Sequence, residues 1–192
     1  MLLMFDYGHG GNDPGAINGQ RKESNDVLKL GKSVASIVRA AGIQVDETRT
    51  TDKALTLTER SNMERKKKYD YFISFHRNAA ANPSANGVET FVFTINNSKS
   101  MPLATAIQKA LVGIGFRDRG VKTANFHVLR ETYSPAVLLE VGFISNASDN
   151  MLFDNRFEDI AKALAGAIIS ICGKGNASAV KRCSACGQVL QG

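Results

Sequence analysis

Three histidines occur in the 192 residues, and two of them stand where chemistry is feasible. His9 lies in Asp6-Tyr7-Gly8-His9-Gly10-Gly11-Asn12-Asp13-Pro14-Gly15, where an apolar run ends in an acid and enters a glycine-rich loop. His76 lies in Ser74-Phe75-His76-Arg77-Asn78-Ala79, directly after another apolar run. In open α/β sheets functional groups gather just outside the carboxyl ends of strands, and adjacent parallel strands end on one rim. Two such histidines can supply two neutral imidazoles to a single metal ion. Glu23, where the first loop turns into a helix, follows the His9 loop closely enough to reach back. Two His and one carboxylate form a common zinc set that leaves a fourth position for water. Glu140 ends the apolar run Pro135–Glu140 and reads as a general base for that water, with apolar surroundings raising its pKa toward the working range. Each residue also has a blander reading. His9 is then a plain loop residue, His76 a satisfied histidine at a sheet edge, Glu23 an exposed acid complementing a helix dipole, and Glu140 a strand-end acid that escapes to solvent.

The elements that must hold these groups follow from hydrophobic periodicity. Residues 2–6 and Tyr71 to Phe75 read as buried strands. Strands are also expected over 43–48, Gly87 to Thr94, 126–129 and 136–140, the fifth with His127 alternating within it. Val27, Leu30, Val34, Val38 and Ala41 recur at helical spacing and Gly42 ends the run. Thr56-x-x-Glu59 is a capping box opening a second helix that finishes in Arg65-Lys66-Lys67-Lys68. A third helix is expected from about Ser100 to Ile114. A last helix is expected with Asn155 as N-cap, Glu158 three residues on, and a stripe of Phe157, Ile160, Ala161, Leu164, Ile168 and Ile171 before Gly173. Strands alternating with helices specify a single α/β domain, a largely parallel sheet covered on both faces.

Composition narrows the class. With 43% hydrophobic and 22% charged residues, 17 Gly and only 4 Pro, the chain can build a core. That excludes collagen-like, disulfide-scaffold and wholly disordered chains. Ile160 to Cys172, the longest late apolar run, is broken by Lys162, and no run approaches the ~20 residues that span a bilayer. No membrane partner is expected. No leader-type segment is recognisable at the start, so synthesis in the cytoplasm is expected. The net charge of +6 and pI near 9.3 suit an anionic partner. No nucleic-acid motif accompanies that charge and there is no Trp, so nucleic acid is not expected. Residues 173–192 carry Lys174, Lys181 and Arg182 without an acid, and read as a basic tail appended to a domain over 1–172. Within it Cys183-x-x-Cys186 is half of a zinc knuckle; with Cys172 the chain has three thiols, one short of a closed site.

Six segments in order carry a resemblance. They are Asp-x-Gly-His-Gly-Gly-x-Asp-Pro-Gly-Ala at 6–16, Leu-Thr-x-x-Glu-Arg-Ser-Asn at 55–62, Ser-x-His-x-Asn-Ala at 74–79, Arg-x-Arg-Gly-Val-Lys at 117–122, Val-Leu-Arg at 128–130, and Pro-Ala-Val-Leu-Leu-Glu-x-Gly-Phe-x-Ser-Asn at 135–146. With the helix-opening acid Glu23, the set resembles the catalytic domain of zinc-dependent type-3 N-acetylmuramoyl-L-alanine amidases, found in autolysins, cell-separation amidases and endolysins. The resemblance covers roughly residues 1–172. It implies a twisted mixed sheet of about six strands, one zinc ion held by His9, Glu23 and His76, and Glu140 as catalytic acid/base. It also implies cleavage of the amide between the lactyl group of N-acetylmuramic acid and L-alanine of the stem peptide. The implied partner is bacterial peptidoglycan, with anionic wall polymers drawn by the basic surface and the enzyme acting on the wall after release, as a phage or prophage endolysin. A non-catalytic peptidoglycan-binding module of the same fold is the alternative.

The sequence departs from the family at two places. Tyr7 stands where a small residue is usual, and Arg77 follows the histidine where a small residue is common. Both are expected to shape the groove or contact an anionic substrate. His127 matches no family ligand and reads as structural or surface. Arg60, near the capping box, reads either as a brace for the ligand loops or as a solvated or salt-bridged residue. The Arg65–Lys68 run reads most simply as complementing a helix C-terminus.

Overall fold

The computed structural model describes residues 1–173; the Cys183/Cys186 pair and the basic tail beyond Gly173 lie outside the described residues. The described residues form eight strands: β1 (Leu2–Tyr7), β2 (Ile17–Asn18), β3 (Arg21–Lys22), β4 (Gln44–Glu47), β5 (Tyr71–Asn78), β6 (Val88–Val92), β7 (Asp118–Thr123) and β8 (Ala136–Phe143). They also form six helices: α1 (Glu23–Ala40), α2 (Leu57–Glu64), α3 (Ser100–Ile114), α4 (His127–Arg130), α5 (Ala147–Asn155) and α6 (Phe157–Cys172). Six strands make one sheet in the order β4-β1-β5-β8-β6-β7. β4, β1, β5 and β8 run parallel, β6 is antiparallel to β8, and β7 is parallel to β6. The sheet is therefore mixed and mostly parallel, as expected.

Side-chain alternation sorts residues between the two faces. Leu3, Phe5 and Tyr7 of β1, Ile73 and Phe75 of β5, and Val137, Leu139 and Val141 of β8 enter the main core under α1, α3 and α6. Met4, Phe72 and Leu138 face the other way into a smaller cluster with Val128 and Leu129 of α4. Asp6, Ser74, His76 and Glu140 share the phase of this second set, so strand geometry alone puts them on one face. The helical stripe of α1 is buried at Val27, Leu30, Val34 and Val38, whereas Ala41 lies just past the helix and is exposed. The Thr56/Glu59 capping box forms with both hydrogen bonds in place.

Two expectations are corrected. Residues 126–129 are not a strand: Phe126 is the N-cap of α4, and His127 opens that short helix. Four residues with three apolar positions do not distinguish helix from strand. The sixth strand is instead β7, whose residues are half-exposed or exposed at the sheet edge. Asn155 caps nothing: it is the last residue of α5, and α6 starts after Arg156 without a side-chain cap. The cap in this region is Asn146, whose side chain accepts from Asp149 N at the start of α5.

Candidate metal centre

The His9 loop turns sharply as it leaves β1. His9 has φ of 60°, the one positive value at a non-glycine among the described residues. A Cβ on Gly8 would stand 2.2 Å from His76 Cε1, and one on Gly15 would stand 2.6 Å from His9 Cδ2 and 2.7 Å from Glu23 Oε2. Glycine at both positions is what lets backbone, rings and carboxylate converge. Glu23, the first residue of α1, is 4% exposed, not a solvated helix-end acid.

His9 Nε2 is 3.2 Å and His76 Nδ1 is 3.0 Å from Glu23 Oε1. The two rings meet edge to face with centroids 5.1 Å apart. One donor atom from each of His9, Glu23 and His76 lies within 4.8 Å of the others. This set of two imidazoles and one carboxylate fits a zinc-type ion with a position to spare. The supporting contacts are those such a site needs. Asp13 Oδ2 accepts from His9 Nδ1 at 2.9 Å, leaving Nε2 turned inward. Ala16 N donates to Glu23 Oε2 and Arg77 N to Glu23 Oε1, both at 3.0 Å. Burial works to raise the Glu23 pKa, but hydrogen bonds and charge from His76 and His9 outweigh it and hold the carboxyl well below its ordinary range. For His9, burial lowers the pKa, while Glu23 and Asp13 overcome that and raise it.

Beneath the loop runs a buried ionic network. Arg60 donates to Asp6 Oδ1 at 2.7 Å and to the carbonyls of Tyr7 and His9 at 2.6 and 2.8 Å. Arg60 is thus both a brace and a salt-bridged residue, and not a solvated one. Arg49 donates to the carbonyls of Tyr7, Gly8 and Ser24 at 2.9, 2.9 and 2.7 Å. Asp6 also accepts from Thr48 and Ser74. Sequence reasoning missed Arg49, whose partners are main-chain groups that no residue pattern marks. Asp6 carried a visible signal, an acid ending an otherwise apolar strand.

Glu140 lines the same cleft as His9 and His76, a space of about 400 Å³ walled on one side by Leu55, Leu57, Phe126, His127 and Val128. Its Oε2 is buried and has no hydrogen-bond partner among the described residues. Burial first, then the charges of Glu23 and Glu89, push its pKa well above the ordinary value, with Arg77 opposing. His127 holds Ser61 Oγ at 3.2 Å through Nε2 and stands in the cleft wall, so it is neither a strand residue nor a plain surface one.

Tyr7 and Arg77 do not shape the cleft. Both are buried on the opposite face of the sheet. Tyr7 bonds Glu47 through its hydroxyl at 2.9 Å. Arg77 bonds Asp26 at 2.6 Å and the Val141 carbonyl at 3.0 Å, with its guanidinium 4.2 Å from the Phe153 ring centroid. The period-2 alternation of β5 sends Arg77 away from its neighbour His76.

Residues 3–170 match the family model described as N-acetylmuramoyl-L-alanine amidase. The chain is 40% identical over 149 residues to the N-acetylmuramoyl-L-alanine amidase LytC of Bacillus subtilis, which is 77% of this chain and 30% of that protein. It is 36% identical over 179 residues to the endolysin of Bacillus phage SPP1, covering 88% of this chain and 65% of the relative. The chain thus spans less than two thirds of the length of these relatives. Among solved structures, the catalytic domain of CwlV, an N-acetylmuramoyl-L-alanine amidase from Bacillus (Paenibacillus) polymyxa, superposes with a TM-score of 0.83 at 34% identity, over 90% of this chain and 98% of that one.

Proposed function

The chain belongs to the type-3 N-acetylmuramoyl-L-alanine amidase family, and from that premise we propose that it hydrolyses the amide between the lactyl group of N-acetylmuramic acid and L-alanine in peptidoglycan. The observation that carries this reading is the convergence of His9, Glu23 and His76 beside the unpartnered carboxyl oxygen of Glu140. His9 Nε2, His76 Nδ1 and a Glu23 oxygen are the atoms that would hold a zinc ion. When bound, zinc supplies Lewis acidity toward a carbonyl and acidifies water at neutral pH.

The chain's own residues do the rest. Glu140 takes a proton from the attacking water and delivers it to the nitrogen of L-alanine as the C–N bond breaks, giving a lactyl carboxylate and a free α-amine. A carboxyl with a raised pKa is suited to both halves of that transfer. Asp13 keeps Nε2 of His9 facing inward, and Arg49 and Arg60 fix the carbonyls of the loop. The apolar wall of Leu57, Phe126 and Val128 excludes water on one side of the cleft. The intact donor set and the placement of Glu140 argue against a merely binding module. Within the family, alignment with a phage endolysin over 88% of this chain supports action on the wall during lysis. No helix among the described residues is long and apolar enough to cross a membrane.

The test is mass spectrometry of soluble products from purified peptidoglycan, with and without chelator. Stem peptides beginning with free L-alanine, formed only without chelator, are expected. Soluble fragments still joined to muramic acid would overturn the assigned bond.

A further inference from the structure

A second concave surface lies on the rim opposite the metal centre, at the amino ends of β5 and β8. It consists of two adjoining hollows of about 450 and 650 Å³ that share Lys99, Tyr133, Ser134 and Pro135. Cations reach it from distant parts of the chain: Arg65 to Lys68 after α2, Lys99 before α3, and Arg130 at the end of α4. Lys67 is engaged by Asp46, and Arg65 and Arg130 by Glu131. Lys66, Lys68 and Lys99 are exposed and have no ion-pair partner among the described residues.

Glu64, the one acid lining the hollows, offsets one of the six cations that line them. It is fully buried, and its carboxylate accepts from Tyr133 N at 3.0 Å, Ser134 N at 2.9 Å and the Ser134 hydroxyl. A C-terminal cap for α2 explains Arg65 to Lys68, but it does not explain Lys99. Lys99 is the N-cap of α3, whose first turn contains no acid, and a cation there is opposed by the helix dipole. Its position makes sense if an anion joins it. Tyr133 stands over the groove at 79% exposure, with the Arg65 guanidinium 4.9 Å from its ring centroid. Asn96, Ser98 and Thr132 add amide and hydroxyl groups to the lining.

We propose that this groove binds a polyol-phosphate polymer of the bacterial wall, with Lys66, Lys68 and Lys99 on its phosphates and Tyr133 against its polyol or sugar units. Spaced phosphates suit three separated ammonium groups, and hydroxyl-bearing linkers suit the neutral polar lining. The choice of a wall polymer over another polyanion rests on the wall substrate proposed above. The attachment itself does not depend on turnover, since the groove and the metal centre occupy opposite rims. Bound there, the polymer would hold the cleft near its substrate and raise the local concentration of cleavable amide.

The test is co-sedimentation of the full chain carrying Glu140→Gln with membrane-free walls, either bearing their phosphate polymer or chemically stripped of it. Walls with polymer should bind about tenfold more tightly at low salt, and the difference should shrink as salt rises. The triple change Lys66→Glu, Lys68→Glu, Lys99→Glu should abolish the difference while leaving the melting temperature near that of the parent. Tyr133→Ala should weaken binding without changing its salt dependence. Equal binding to both wall preparations, or an unaffected triple variant, would overturn the proposal. Equal affinity for duplex DNA or phosphatidylglycerol vesicles at matched salt would also overturn it, by showing that charge alone is read. A failure of the amidase reading would appear separately, as walls left uncut by the unmodified chain.

Discussion

Glu140 and His76 are direct register partners in adjacent parallel strands, β8 and β5, yet Glu140 Oε2 is buried with no hydrogen-bond partner among the described residues. An unpaired buried carboxyl oxygen is costly to a fold. Its retention next to a ligand-type histidine is the expected mark of a group kept for chemistry. Glu140→Gln should retain the metal and lose at least ~100-fold in turnover, the lower range for one acid–base group. It should also raise the melting temperature of the metal-free protein. The sign follows from the raised pKa: burial favours the protonated acid, so Glu140 lowers stability once pH exceeds its unfolded value. The melting gap between the variants should therefore open as pH rises through about 4.3 and be absent below it. A Glu140→Gln enzyme that cuts peptidoglycan normally would remove Glu140 from the reaction.

On the proposed reading, metal loading should depend on the Asp13–His9–Glu23 chain. His76→Ala should bring bound zinc toward zero. Asp13→Ala should weaken zinc binding about 10- to 100-fold, the usual effect of losing the group that orients a ligating histidine. Because the His9 pKa is raised by Glu23 and Asp13 against the effect of burial, a metal must displace a proton from it over a wider pH range than from a free imidazole. Zinc affinity should start to fall above pH ~6.5 as the solution is acidified, with proton release on binding measurable by calorimetry in two buffers. Full zinc occupancy in His76→Ala would refute the assigned ligand set.

Gly8 tests the same centre without touching a charge. Its missing Cβ would stand 2.2 Å from the His76 ring, so Gly8→Ala must displace the imidazole or the loop. Zinc affinity should drop at least tenfold while the circular dichroism spectrum is kept. Normal affinity would mean the loop relaxes freely, contrary to the anchoring by Arg49 and Arg60.

Much of this was legible in residue order, for identifiable reasons. α3 has the bounds expected from its sequence, Ser100 to Ile114, because a long apolar stripe ending before a glycine admits one reading. β7 was not legible: Asp118-Arg119-Gly120-Val121-Lys122-Thr123 lies at an edge, where one apolar residue suffices. His9, His76 and Glu23 stood out because loops at strand ends collect functional groups. The directions of Tyr7 and Arg77 were misread, although strand alternation already contained the answer: residues next to His76 and Asp6 must face away from the cleft. Arg49 carried no signal, since its partners are carbonyls of Tyr7, Gly8 and Ser24.

The Asp6–Arg60 pair should be costly to break from one side. Both side chains are buried, 2.7 Å apart, and removing Arg60 leaves Asp6 charged without its partner. Arg60→Met should cost about 3–5 kcal/mol, read as a shift in the urea midpoint. Burial raises the Asp6 pKa, but Arg60 and Ser74 outweigh it, so the pKa is lowered in the folded chain. The pair's contribution is therefore present above the unfolded value near 3.9 and lost as pH falls through and below it. A stability difference that persists unchanged at pH 2 would contradict this account.

Arg77 separates the structural reading from the one its sequence position suggested. If it contacted an anionic substrate, Arg77→Met would raise KM and leave stability alone. In the structure its guanidinium lies on the far face, holding Asp26 of α1 and the Val141 carbonyl and packed against Phe153. Asp26 keeps a second partner in Arg21 at 2.6 Å, so loss of Arg77 does not strand a carboxylate. The cost should therefore stay at the level of lost packing and one charge-assisted bond, about 2–3 kcal/mol. Glu23 is bonded by the backbone N–H of Arg77, which the substitution retains, so zinc should still bind. The expected result is a lower melting temperature with KM for a soluble muramoyl peptide unchanged. A raised KM at unchanged stability would place Arg77 at the substrate after all.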